Sequence, residues 1–174
     1  MAVIEFELDG TIRTANRNFL ATVGYELEEI RGKHHRMFVE DSLARSAQYR
    51  SFWEKLGRGE FDRGQYKRIG KGGREIWIEA SYNPIVDAGG KPFKVVKYAT
   101  DITAEKRRSA DVDGQLAAIN KAMAVIEFEL NGTIRDANPN FLATVGYSLQ
   151  DIRGQHHRMF VDPDEAASPG YAAF

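Results

Sequence analysis

The sequence contains no cysteine. That excludes a disulfide scaffold, cysteine-ligated zinc, iron–sulfur clusters and thiol catalysis. It also lacks any surplus of charge: 24 Lys and Arg stand against 25 Asp and Glu, a formal net charge of −1. Nothing in that balance favours nucleic acid or an anionic membrane surface. No apolar run approaches the roughly 20 residues that a membrane-spanning helix needs. The opening MAVIEFELDG has neither the basic start nor the apolar core of a signal peptide. The expectation is a cytoplasmic chain without membrane insertion. The 43% hydrophobic and 28% charged residues are the mixture of a globular protein.

What the chain does have is a repeat. Residues 1–39 and 123–161 are identical at 32 of 39 positions. Beyond Val39 the likeness thins, although Tyr49 and Phe52 recur as Tyr171 and Phe174. The offset of 122 residues is far too long for a solenoid, whose units run about 20–50 residues. It is a duplicated domain. The reading is a complete module over 1–103, a linker helix over 104–123, and the leading half of a second module over 124–174. The chain therefore reads as a piece of a longer protein. The second half-module is expected to leave an incomplete sheet with an exposed edge.

Local patterning gives the element order. Ile4, Phe6 and Leu8 alternate with Glu5 and Glu7, as in a half-buried strand, and Asp9-Gly10 makes the turn into a second strand over Thr11–Ala15. Phe19, Leu20 and Val23 have helical spacing, with Gly24 placed to close the helix. A further turn of helix covers Leu27–Ile30, and Ser46–Leu56 reads as a longer helix with Tyr49, Phe52, Trp53 and Leu56 on one side. Two strands, Phe61–Ile69 and Glu75–Ile85, flank the turn Gly70-Lys71-Gly72-Gly73. A last strand, Pro92–Thr100, sets Phe93, Val95, Lys97 and Ala99 against Lys94, Val96 and Tyr98, which suggests a central strand covered on both faces. In Ala104–Met123, Val112, Leu116, Ile119 and Met123 are spaced like a short coiled-coil seam. The order predicts an α+β fold: a five-stranded antiparallel sheet with short helices across one face and a pocket between them.

These residues resemble a PAS domain. The resemblance rests on Asp9-Gly10-Thr11-Ile12, Ala15-Asn16, Phe19, Gly24-Tyr25, Leu27 to Lys33, Gly72-Gly73 before Trp77, and the close Asp101-Ile102-Thr103. More narrowly, His34 to Val39 and Trp77 to Pro84 are similar to the tandem PAS modules of bacterial chemotaxis and aerotaxis transducers. The resemblance implies a non-enzymatic sensor that binds a small molecule or cofactor, or serves as a protein contact. It implies a homodimer through PAS and linker helices, and a downstream signalling domain on the same longer chain. It also implies that Asp101, Ile102 and Thr103 couple the last strand to the outgoing helix.

The resemblance further implies a cofactor set. By position, the FAD contacts of aerotaxis-type PAS domains fall on Asn16, His35 and Trp53. An indole can stack on a flavin ring while an amide and an imidazole bond its polar edge. The bland alternatives are Asn16 as a helix cap and Trp53 as a core aromatic. Haem is the rival, with His34 or His35 as axial ligand; a flavin–cysteinyl adduct is excluded by the missing thiol. Adjacent histidines in a helix point about 100° apart, so one is expected to face the pocket and the other solvent. The glycine-rich turn fails the spacing of a phosphate loop. No nucleophile–base constellation is present.

Overall fold

The computed structural model describes residues 1–172; Phe174, the counterpart of Phe52, lies outside them. The chain forms two compact units, Met1–Arg108 and Ser109–Phe174.

In the first unit, strand β1 (Ala2–Phe6) pairs antiparallel with β2 (Ile12–Ala15). Helix α1 (Arg17–Val23) follows at once, because Asn16 accepts from the Phe19 N–H and caps it. Gly24, at φ +77°, takes the left-handed position that ends it. Helix α2 (Leu27–Ile30) opens on a capping box between Glu26 and Glu29. A 3₁₀ turn covers His35–Phe38, then come α3 (Asp41–Ala44) and α4 (Ala47–Gly57), the latter capped by Ser46. Strands β3 (Asp62–Ile69), β4 (Glu75–Val86) and β5 (Pro92–Asp101) form an antiparallel meander.

The sheet order is β2-β1-β5-β4-β3. β5 is central, paired with β1 on one side and β4 on the other, as its two-faced apolar pattern suggested. The inner face of the sheet carries Ile4, Phe6, Ile76, Ile78, Ala80, Tyr82, Val95 and Ala99, and it is sealed by Phe19, Val23, Ile30, Phe38, Trp53 and Leu56 from the helices. The expectation that β5 is covered on both faces needs correcting. Val96 is buried on the outer face, but Tyr98 is 38% exposed there, because among the described residues of this unit the helices lie on the other face.

Helix α5 (Thr103–Ala122) leaves β5 directly. In the second unit β6 (Ile126–Phe128) and β7 (Ile134–Ala137) form a two-stranded sheet, followed by α6 (Pro139–Val145), α7 (Leu149–Ile152) and a 3₁₀ turn at His157–Phe160. Among the described residues β6 has no neighbour on its other edge, as the half-module reading expected. No helix among the described residues is long and apolar enough to cross a membrane.

Candidate functional site

The site is built where the 3₁₀ turn presses its two histidines against α4 and the sheet. Gly10, at φ +90°, allows this approach: a Cβ there would lie 2.7 Å from Trp53 Cε2 and 2.9 Å from His34 Nε2. The turn is anchored by the His35 N–H, which donates to the Gly10 carbonyl at 2.9 Å. His34 Nδ1 accepts from the Arg36 N–H at 3.1 Å and caps the turn. The two rings then diverge because His34 is extended and only His35 enters the turn. His34 lines an outer groove, and His35 is fully buried.

His35 is held on both sides by tyrosines. Its Nδ1 lies 2.8 Å from the Tyr49 hydroxyl on α4, and its Nε2 lies 3.1 Å from the Tyr82 hydroxyl on β4. Phe6, Phe38 and Trp53 pack their rings edge-on against it. Burial in this apolar cage holds the imidazole well below its usual range, with the nearby Arg68 and Lys97 adding to the effect. The ring is neutral, and a neutral imidazole matches two hydroxyls by donating to one and accepting from the other. His34 is lowered as well, by its own partial burial and then by Arg36.

The Tyr82 hydroxyl also accepts from Arg68 Nη2 at 3.1 Å. Behind it, Lys97 Nζ lies 4.8 Å from the centre of the Tyr82 ring and 5.7 Å from that of Phe19. Arg68 is 6% exposed and Lys97 1%. Among the described residues, they and His35 make up the buried polar and charged side chains, and no carboxylate is among them. Burial pulls the Lys97 ammonium down to about 8. Burial alone would push the Tyr82 phenol up, but Arg68 and Lys97 outweigh it and lower it. Tyr49, with burial as the main cause, is pushed up to about 12.

The four residues expected to hold a cofactor are thus placed unequally. His34, His35 and Trp53 meet, with ring centres 5.4–5.9 Å apart. Asn16 is elsewhere. Besides capping α1, it accepts from the Val3 N–H and donates to the Met1 carbonyl. Trp53 is 7% exposed and its indole Nε1 is buried without a well-formed hydrogen bond. Neither flavin nor haem fits this arrangement. Both nitrogens of His35 are engaged by Tyr49 and Tyr82, Phe6 and Phe52 stand edge-on to the Trp53 ring, and Phe52 packs on Tyr82. The internal cavity between α1 and the sheet is about 10 Å³, room for roughly one water. The outer groove is large, about 760 Å³ and lined by His34, Arg36, Arg45, Tyr49, Arg50 and Trp53, but it is open to solvent, and Trp53 is 7% exposed. Among the described residues, no group of acidic and histidine side chains could hold a metal ion.

The residues that sequence reading missed are Tyr49, Arg68, Tyr82 and Lys97. A signal for Lys97 was present: it shares its strand face with Phe93, Val95 and Ala99. Asp101 accepts from the Thr103 N–H at 2.9 Å, the Ile102 N–H donates to the Trp77 carbonyl at 2.9 Å, and Thr103 Oγ1 accepts from the Trp77 N–H at 2.9 Å. Lys106 then lies 5.2 Å over the Trp77 ring. These contacts tie the start of α5 to β4.

A five-stranded antiparallel sheet of this order, crossed on one face by short helices, is the expected PAS fold. A family model described as "PAS fold" matches residues 12–99, and another described as "PAS domain" matches residues 120–172. The chain belongs to the PAS family. Biofilm dispersion protein BdlA of Pseudomonas aeruginosa is 46% identical over 172 residues, 99% of this chain and 41% of that protein. The aerotaxis receptor of Escherichia coli is 31% identical over 83 residues, 48% of this chain and 16% of that protein. The chain therefore spans less than half the length of either relative. The PAS domain of a Colwellia psychrerythraea protein shares the fold at a TM-score of 0.52 and 21% identity, over 59% of this chain and 86% of that one.

Proposed function

We propose that this chain is the non-enzymatic, cytoplasmic sensory module of a chemotaxis- or aerotaxis-type transducer. The interior around His35 is the sensing element and α5 the output. The observation that carries this reading is the junction at Trp77. That residue lies on β4 between Ile76 and Ile78, which face the interior, and it holds Ile102 and Thr103 at the root of α5. A shift of the inner face therefore moves the first turn of the helix. Val112, Leu116 and Ile119 along α5, and Met123 just past its end, are 45–59% exposed, which supports a second copy of the chain as the partner, with a signalling domain of the longer protein receiving the change. The kinship with an aerotaxis receptor supports redox or oxygen as the signal.

FAD, with haem as the alternative, was the ligand implied by Asn16, His34, His35 and Trp53. The filled interior favours a reading that routes nothing through either group, and it equally favours a cofactor-free interaction module as the second reading. An absorption spectrum of the purified chain tests both readings against cofactor binding. We expect no flavin or Soret absorption; a stoichiometric band of either kind would mean that the interior opens to admit a cofactor. The signalling claim is tested with Thr103→Val, which removes the hydroxyl that accepts from the Trp77 N–H. Amide exchange in the first turns of α5 should rise while the sheet stays protected. Unchanged exchange there would reject the junction as the coupling point.

A further inference from the structure

We propose that two copies of this chain exchange their leading halves, residues 124–161 of one copy taking the place of residues 2–39 on the β5 edge of the other.

Ala124 to Phe128 repeat the Ala-Val-Ile-Glu-Phe of β1, which lies along β5 from Ala2 opposite Ala99 to Phe6 opposite Val95. β6 pairs with β7 in the register of β1 with β2, with the same irregularity before Phe6 and before Phe128. Its free edge therefore offers the pattern of N–H and C=O groups that β5 meets on β1. The side chains match as well. None of the positions that differ between 1–39 and 123–161 is buried in the first unit. Ile4, Phe6, Phe19, Ile30, His35 and Phe38, all buried, recur as Ile126, Phe128, Phe141, Ile152, His157 and Phe160. Phe6 is fully covered, whereas Phe128 is 41% exposed.

A displaced leading half keeps its frame, because the second unit forms its hairpin and capped helices without trailing strands among the described residues. Glu40 and α3 bury no side chain, so the chain can part there while α4 and β3 to β5 stay in place. One leading half is covered and one is open both before and after the exchange. Only the freedom lost on association opposes it, so it grows with concentration. The partner is a second copy because β5 and β6 are joined by α5, 20 residues and about 30 Å of helix. Within one chain Ala124 would have to return to the end of β5 that α5 has just left, which an intact helix forbids.

The chain has no cysteine of its own, so a single engineered pair reports the exchange. Val3 lies opposite Tyr98 across β1 and β5, and Val125 is the counterpart of Val3. The full chain carrying Tyr98→Cys and Val125→Cys is refolded from urea at high concentration under mild oxidation. It should form a disulfide-linked dimer, roughly tenfold more than either single variant, since opposed residues of an antiparallel pair lie within disulfide reach. Val3→Cys with Tyr98→Cys should instead close within one chain. Ile4→Asp gives a second readout, and decides alone should the cysteine variants fail to fold. It spoils β1 and spares β6, so β5 amides should stay protected in a concentration-dependent way, whereas Ile4→Asp with Ile126→Asp should lose that protection at every concentration. A bond between positions 98 and 125 of one chain would overturn the second copy as the occupant. No such bond in a folded variant, or β5 protection in Ile4→Asp as low as in the double variant, would overturn the exchange.

Discussion

The buried ammonium of Lys97 makes stability depend on pH in the direction opposite to the ion-paired surface lysines Lys67 and Lys71, whose carboxylate partners raise them. Its folded value is about 8 and its ordinary value 10.5. Between those two the unfolded chain holds the proton and the folded chain does not, so stability rises with pH across that window. The span of about 2.5 units corresponds to about 3 kcal/mol at 1.36 kcal/mol per unit. Below about 8 both states are protonated and the cost is present in full. Tyr82 titrates with Lys97 and acts in the same direction, because its phenol is lowered in the folded state. The perturbation is Lys97→Met, and the assay is urea unfolding in anion-poor buffer at pH 7 and at pH 10.5. Any packing difference between the side chains shifts both measurements equally, so the change in ΔΔG between the two pH values isolates the charge. The variant should gain about 3 kcal/mol relative to wild type at pH 7 compared with pH 10.5. A pH-independent ΔΔG would refute the claim that Lys97 is buried without a counter-charge.

Gly10→Ala should destabilise the first unit by about 2–4 kcal/mol, combining a left-handed φ with overpacking against Trp53. Gly72→Ala, also at positive φ but with open space around it, should cost only about 1–2 kcal/mol, and urea unfolding compares them. Amide exchange should be slower over 2–39 than over 124–161, because β1 pairs with both β2 and β5 whereas β6 pairs with β7 alone among the described residues. Equal protection of the two segments in a dilute monomer would contradict this.

Strands and helix ends were legible because each carries its own local chemistry. Ile76, Ile78, Ala80 and Tyr82 alternate along β4 and make up its inner face. Gly24 and Ser46 marked a helix stop and a helix start that the backbone uses. Helical spacing does not describe His34 and His35, because His34 is extended and caps the 3₁₀ turn that begins at His35. The site was less legible, for a physical reason. Arg68 faces inward because it is paired across the ladder with Ile76, a register that no local pattern in Asp62–Ile69 announces. Tyr49 and Tyr82 reach one imidazole from 14 and 47 residues away. Asn16 shows the opposite failure. Its identity fits a cofactor ligand by resemblance, yet its side chain is consumed by local backbone groups of the first strand and helix.

The repeat acts as an internal control on which part of the module makes the site. In the second unit Gly132 would set a Cβ 2.7 Å from His156 Nε2, and His156 caps its turn at 3.1 Å as His34 does. His157 lies 2.9 Å from the Tyr171 hydroxyl, matching the 2.8 Å of His35 and Tyr49. The leading half of the module therefore builds this local frame without β3, β4 and β5. What it does not build is the seal. His35 is fully buried beneath Tyr82, whereas His157 is only half-buried. The same hydroxyl should then matter differently in the two places. Tyr49→Phe strands a buried ring nitrogen and should cost about 1–3 kcal/mol. Tyr171→Phe leaves a nitrogen that water can reach and should cost under about 1 kcal/mol. Urea unfolding of the two variants decides between them. A Tyr49→Phe cost as small as that of Tyr171→Phe would mean that water enters the first interior, and that the seal supplied by β4 is not what sets the chemistry of His35.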